Sequence, residues 1–362
     1  MKTDFLYFIY PIVSFIIVVL LTPPSRKLAN IIGLVDKPNF RKSHFTPIPV
    51  IGGAIVFIAC FITVLLKVDI LLNFDKINLL AIGGGIILLM GILDDRYNLP
   101  ALLKLIVQLA LSYYVYVSGV KIESLFGIFG INELPEIIKM ILTMLVITGS
   151  INAFNLTDGI DGLAAGLAII GLSAFTIISV LLNEVFLTLL FVSIIGGLIG
   201  FLKFNLGKKN KVFLGDAGSL FLGYILVVSG LILINKSIST NNIAVTLSTV
   251  IGVMILPVID SVRVYTGRIF KGNSPFRADK THLHHLLINL KLKHGKASII
   301  IVVIAVLLLL LSILTGTFFS HTTAIILLLV LFTVFSNILA LNNNINEWTQ
   351  KNKALENRDY KD

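Results

Sequence analysis

The sequence predicts an all-α, polytopic membrane protein of about eleven transmembrane helices, with its N-terminus outside and its C-terminus in the cytosol. Three observations carry that prediction. Hydrophobic residues make up 56% of the chain and charged residues only 13%, against roughly 25% charged in a soluble domain, and the mean hydropathy is +0.97. Apolar runs close to the ~20 residues needed to cross the hydrocarbon core recur along the whole chain. When these runs are threaded alternately through a bilayer, 23 of the 29 Lys and Arg fall on one side, which the positive-inside rule assigns to the cytosol.

The runs lie at about 5–22, 50–66, 77–93, 101–118, 136–154, 163–182, 185–202, 217–234, 244–262, 298–316 and 322–341. They are too long and too evenly apolar for barrel strands, so helices are the remaining way to pair every backbone group in lipid. The first run has only Lys2 ahead of it and no small-residue cleavage pattern, and reads as a retained helix. The second opens on Gly52-Gly53, a step that allows close helix packing. Two long loops, about 23–49 and 263–297, fall on the cytosolic side; outside, 119–135 is long enough for a small hairpin or interfacial segment. Residues 1–341 form a single integral membrane domain, and 342–362 a polar, frayed cytosolic tail. The formal charge of +10 is accounted for by this anchoring and by attraction for anionic lipid heads and phosphates, so no nucleic acid is expected as a partner. Cys60 is the only cysteine, which excludes an internal disulfide and a cysteine-based zinc site.

Carboxylates at a membrane are expensive, so their positions carry information. Asp94 and Asp95 end the third run; Asp158 and Asp161 follow the fifth in Asn152-Ala-Phe-Asn155-Leu-Thr157-Asp158-Gly-Ile-Asp161-Gly162; Asp216 opens the eighth in Phe213-Leu-Gly215-Asp216-Ala-Gly218-Ser219; Asp260 closes the ninth. All six fall at cytosolic ends, although the charge count that set the topology used none of them. Adjacent Asp94 and Asp95 repel unless a cation or donors compensate them, and Mg²⁺ held by one or two carboxylates plus substrate phosphates is the natural partner; the pair reads equally as a solvated helix end. Asp158 and Asp161, at i and i+3, share a face if helical, beside glycines that let a ligand approach and the polar Asn155 and Thr157. Asp216 alone is a helix cap; with the other acids it becomes a candidate metal ligand. Asp260, near Arg263, reads as structural. The last cytosolic loop carries His282, His284 and His285 together with Arg268 and Lys271. If that stretch is helical, His282 and His285 share a face and His284 points elsewhere. No fourth ligand follows at zinc spacing, and imidazole and guanidinium donors suit a diphosphate better.

In their order, Asp36-Lys-Pro-Asn-Phe-Arg-Lys42, Gly52-Gly53, Gly91-Ile-Leu-Asp94-Asp95, Asn152 to Gly162, Phe213-Leu-Gly-Asp216-Ala-Gly-Ser219 and His282-Leu-His284-His285 resemble the polyprenyl-phosphate N-acetylhexosamine-1-phosphate transferases (glycosyltransferase family 4). The resemblance implies an eleven-helix enzyme of the inner (cytoplasmic) membrane with its active site on the cytosolic face. It implies a UDP-sugar donor, a polyprenyl phosphate acceptor, a Mg²⁺ cofactor with Mn²⁺ as substitute, and it admits a homodimer. Asp94, Asp95 and Asp216 are then the expected catalytic residues. Asn155, Asp158, Asp161, Arg268, His282, His284 and His285 are the expected substrate-binding residues, and Asp216 with Asn155 the metal site. His-Leu-His-His, with Pro275 and Asp279-Lys280 before it, resembles the undecaprenyl-phosphate N-acetylglucosaminyl-1-phosphate transferase branch; the phospho-muramoyl-pentapeptide branch resembles three consecutive histidines. The expected reaction is transfer of N-acetylglucosamine-1-phosphate, or a related N-acetylated sugar-1-phosphate, to undecaprenyl phosphate with release of UMP, the first membrane step of a cell-envelope polysaccharide such as lipopolysaccharide. The competing class is an ion-coupled transporter, which also buries ionisable groups in a helical bundle. Carriers place them near the midplane, often within inverted repeats; this sequence shows no repeat and sets its acids at one surface.

Overall fold

The computed structural model describes residues 2–37, 46–66, 78–274 and 281–359. Among these residues there are twelve α-helices: α1 (Lys2–Ile32), α2 (Gly52–Leu65), α3 (Gly83–Tyr97), α4 (Ala101–Val117), α5 (Glu136–Asn155), α6 (Leu163–Leu181), α7 (Val185–Asn205), α8 (Gly215–Ser237), α9 (Ile243–Phe270), the short α10 (Leu283–Asn289), α11 (His294–Phe318) and α12 (His321–Asp359). Each of the eleven apolar runs became one helix, and α10 is the addition. Among the described residues nine helices are long and apolar enough to cross a bilayer, while α2 and α4 are shorter apolar helices. The chain is thus an all-α, multi-pass membrane protein.

Helix α8 is the axis of the bundle. Its apolar window is buried throughout, and α2, α3, α5, α6 and α9 pack around it. Lipid is as apolar as the helix faces, so close association depends on small residues that let backbones approach. A Cβ on Gly53 would land on the backbone of Gly218, and one on Gly91 on the backbone of Ala217. Both approaches fall in the first turn of α8, and they bring the ends of α2 and α3 to the start of α8.

The loop between α1 and α2 is stitched to the same place. Strands β1 (Val35–Asp36) and β2 (Ile48–Pro49) pair antiparallel, and Val50 bridges Phe213 in parallel. The Phe213 N–H donates to the Pro49 carbonyl at 2.9 Å, and the Gly52 and Gly53 N–H groups donate to the carbonyls of Phe213 and Leu214 at 3.0 Å each. The segment leading into Asp216 is therefore held from both sides by backbone.

Three expectations change. The first helix does not stop near residue 22 but runs through Pro23 and Pro24 to Ile32; the Thr22 hydroxyl supplies a donor to the Val18 carbonyl just before the prolines, at 2.6 Å. The stretch after Asn342 does not fray: α12 continues to Asp359. Its Lys, Glu, Gln, Ala and Leu residues are good helix formers, and the Asn343 side chain donates to the Leu286 carbonyl at 3.1 Å. His282 is not on a helix; it precedes α10 in an extended conformation. The outer loop 119–135 does carry a hairpin-like contact, an isolated antiparallel bridge between Ser124 and Glu133 around the turn Ile128–Gly130. The Pro38–Lys42 part of the first motif and the Pro275–Lys280 stretch lie outside the described residues.

Candidate functional site

A cavity of about 950 Å³ opens at the end of the bundle where α1, α3, α5 and α7 finish and α2, α6 and α8 begin. Asp94, Asp95, Asp158, Asp161 and Asp216 all line it. Acids separated by more than 120 positions in the chain share one wall, as required if they serve one ligand.

Their environments differ. Asp94 is buried, 2.6 Å from the ammonium of Lys104, and accepts the Leu99 N–H at 2.9 Å. Its carboxyl group also lies beside that of Asp216. Asp95 accepts the N–H groups of Asp216 and Ala217 at 2.9 and 3.2 Å. It therefore caps α8 from a neighbouring helix, placing acceptor oxygens where the first turn leaves N–H donors unpaired. Gly215 makes this approach possible twice over: its φ is +78°, and a Cβ there would meet the Asp95 carboxylate at 2.6 Å.

Asp158 and Asp161 sit in the turns joining α5 to α6 rather than on one helical face. Burial, with Asp216, Asp95 and Asp161 nearby, pushes the Asp158 carboxyl up to about 8. Asp161 pairs with Lys211 at 2.6 Å, and that ammonium also lies over the Phe213 ring, 5.5 Å from its centre. Asn155 stands behind the wall: its amide donates to Asp216 at 3.0 Å and to the Ser219 hydroxyl at 2.9 Å.

The donor set suits a hard dication. Carboxylates crowd one another around one cavity, and a divalent ion would relieve their mutual repulsion. Among the described residues no three Asp, Glu, His or Cys side chains converge as a finished ligand cage. Mg²⁺ needs none, because it keeps waters and takes one or two carboxylates together with substrate phosphates.

Of the basic and histidine residues singled out in the sequence, His285 lines the cavity. His284 is buried behind it, 4.2 Å from the His285 ring centre, with its own ring against the backbone of Gly159. Burial and the neighbouring His285 and His282 push His284 down to about 3, so it is a neutral packing ring near pH 7. His282 is buried against Asp260. Arg268 is buried beside the Tyr265 ring and, like His282 and His284, is not part of the cavity wall.

The structure adds residues the sequence reading passed over. Arg26, Lys208 and Lys211, counted only as topological charge, line the cavity with Asp36, Thr46, Asn205, Asn210 and His294. Arg26 donates to the Asn210 side chain at 2.7 Å. Asn205 accepts the Gly162 N–H at 2.7 Å and donates to the Val212 carbonyl at 3.0 Å, joining the Asp158–Asp161 turn to the segment before Asp216. A lone asparagine ending a long apolar helix was the available signal.

The sequence pattern that defines glycosyl transferase family 4 matches residues 77–234, a span that contains Asp94, Asp95, Asp158, Asp161 and Asp216. Over 291 residues the chain is 34% identical to a probable undecaprenyl-phosphate N-acetylglucosaminyl 1-phosphate transferase of Bacillus subtilis (strain 168), covering 80% of this chain and 79% of that protein. It is 30% identical over 306 residues to the undecaprenyl-phosphate alpha-N-acetylglucosaminyl 1-phosphate transferase of Yersinia pestis, covering 83% and 80%. It is 32% identical over 282 residues to the protein of that name from Escherichia coli (strain K12), covering 76% and 75%.

Proposed function

The chain belongs to glycosyl transferase family 4, and on that premise we propose that it transfers N-acetylglucosamine-1-phosphate, or a closely related N-acetylated sugar-1-phosphate, from a UDP-sugar to undecaprenyl phosphate. The single observation that carries this is the convergence of Asp94, Asp95, Asp158, Asp161 and Asp216 on one cavity at one end of the bundle. The bias of Lys and Arg towards that end supports setting it on the cytosolic side of the cytoplasmic membrane.

In the reaction an oxygen of the lipid phosphate attacks the β-phosphorus of the UDP-sugar. The new bond forms between that oxygen and the β-phosphorus, the bond to the bridging oxygen breaks, and UMP leaves with that oxygen. The lipid phosphate is already largely ionised at pH 7, its second pKa being near ~6, so no strong base is needed. Phosphoryl transfer of this kind depends mostly on positioning and charge neutralisation.

The residues divide that labour. Asp216, oriented by Asn155, and its neighbour Asp94 would hold Mg²⁺, with Mn²⁺ as substitute; the ion would neutralise charge on the diphosphate. Asp95 fixes the first turn of α8, and so the position of Asp216. Asp158, Asp161 and Lys211 form the adjoining wall where the donor is held. His285, with Arg26 and Lys208, offers donors to anionic oxygens from the rest of the rim.

The test is UMP release by purified protein in detergent with Mg²⁺, undecaprenyl phosphate and a series of UDP-sugars. UMP formed from UDP-N-acetylglucosamine without any membrane gradient is the expected result. No UMP from any UDP-sugar would overturn the reading and favour a gradient-driven carrier; preference for the muramoyl-pentapeptide donor would move the chain to that branch.

A further inference from the structure

Asp260 lies on α9, outside the cavity wall, and every atom of its carboxylate is engaged. Oδ1 accepts the Arg263 guanidinium at 2.6 Å. Oδ2 lies 2.9 Å from Nδ1 of His282. Both oxygens accept the Leu283 N–H at 3.2 Å. Arg263 also donates to the Thr281 carbonyl at 2.7 Å. Asp260 and Arg263 thus grip residues 281–283 from three directions, at the point where α10 begins.

Helix α10 carries the residues that reach the site. His285, Ile288 and Asn289 line the cavity. The His282 and His284 rings are stacked at 6.0 Å, with 6° between their planes, and His284 meets His285 at 4.2 Å. His282 Nε2 is buried and has no hydrogen-bond partner among the described residues. An unbroken run of side-chain contacts therefore leads from Asp260 through three imidazoles to the cavity wall.

The bonding also sets a tautomer. Arg263 and the Leu283 N–H are obligate donors and hold the carboxylate as an acceptor. Nδ1 of His282 must then carry a proton, and in the neutral ring this makes Nε2 the unprotonated nitrogen. We propose that Asp260 is a positioning residue of the active site: it fixes His282 in the Nδ1–H form and sets the place of α10, so that His284 seats on Gly159 and His285 faces the substrates. That His285 faces substrates rests on the transferase reading; the tautomer and the placement of α10 do not.

Asp260→Asn separates this from simple helix capping. The asparagine oxygen will face Arg263 and the Leu283 N–H, because both can only donate. Its NH₂ then faces His282 Nδ1, which must turn from donor to acceptor, and the proton moves to Nε2. The cap survives while the imidazole is reversed.

The experiment is ¹⁵N-histidine NMR on the full chain in detergent or nanodiscs, with the His282 signal assigned by its loss in His282→Gln, beside UMP-release kinetics. Wild type should show His282 as the Nδ1–H tautomer and Asp260→Asn as the Nε2–H tautomer. kcat should fall about 10- to 100-fold, the range for losing the partner that orients a functional histidine, with the KM for the UDP-sugar moving less than about threefold. An Nε2–H tautomer in wild type overturns the proposal without any variant, as does an unchanged tautomer or an unchanged kcat in Asp260→Asn. If wild type releases no UMP, the transferase reading fails, while the tautomer measurement still decides the inference about Asp260.

Discussion

The two ends of the bundle treat carboxylates in opposite ways. At the outer-loop end, Glu123 and Glu136 face Lys121 and Lys139, with Lys121 2.5 Å from Glu136 and Lys139 2.8 Å from Glu123, and the Tyr116 hydroxyl adds a bond to Glu136 at 2.7 Å. At the cavity end Asp94, Asp95, Asp158, Asp161 and Asp216 line one cavity, and among these five a lysine of the described residues contacts Asp94 and Asp161. Asp216 instead meets another carboxyl group, and Asp158 is pushed up to about 8 by burial and its acidic neighbours. Helix α5 passes through both regions, from Glu136 to Asn155, so the contrast is set within the reach of a single helix. Charges that compensate one another are architecture; charges left to repel could be relieved by an outside cation, as the proposed function requires.

The largest effect should come from the uncompensated end. Asp216→Asn should lower kcat for UMP release by at least about 1,000-fold while the protein stays folded, because transfer of a phosphoryl group relies on charge neutralisation; near-normal turnover would remove Asp216 from the site. Next is thermal stability against pH. Asp158 carries a folded pKa near 8 and an unfolded value near ~3.9. Below about pH 4 the proton-linked stability is fully present, and it is lost as pH rises towards 8 because the folded state holds the proton more tightly. Melting in EDTA should therefore fall across that window, and saturating Mg²⁺ should raise the melting temperature most at its alkaline end. A Mg²⁺ effect equal at pH 5 and pH 8 would contradict this. Lys104→Met strips Asp94 of its compensating charge and should reduce kcat/KM about 10- to 100-fold, a loss of about 1.4–2.7 kcal/mol of transition-state stabilisation. The smallest change belongs to the compensated end. Glu136→Gln breaks an exposed, solvent-screened network and should leave the melting temperature nearly unchanged with unchanged UMP release; a large loss of activity there would erase the distinction between the two ends.

The sequence made part of this contrast readable. A run of apolar residues long enough for the bilayer has almost no alternative to a helix, so all eleven runs were legible along with their order. Asp94, Asp95, Asp158, Asp161 and Asp216 were legible too, because a carboxylate beside hydrocarbon needs a reason to be there. The fourteen residues from Thr281 to His294 were only half legible. Three histidines in four positions announced function, yet their spacing gave no hint that His282 would stop short of α10 and point at Asp260. Lys104, Lys211 and Arg26 were hidden in the topological charge count, since an interfacial lysine looks the same whether it anchors a helix or neutralises an aspartate.

What the sequence determined by itself, then, was the helical class, the apolar spans and the identity of the acids, because the solvent around each residue enforces these locally. Tertiary structure alone decided which acid does what. Asp94 and Asp95 are adjacent in the chain, but one meets Lys104 and Asp216 and the other caps α8. The difference arises where Gly53 and Gly91 let α2 and α3 close on the first turn of α8. A charge's role depends on what stands within a few ångströms of it, and here those neighbours come from helices far apart in the chain.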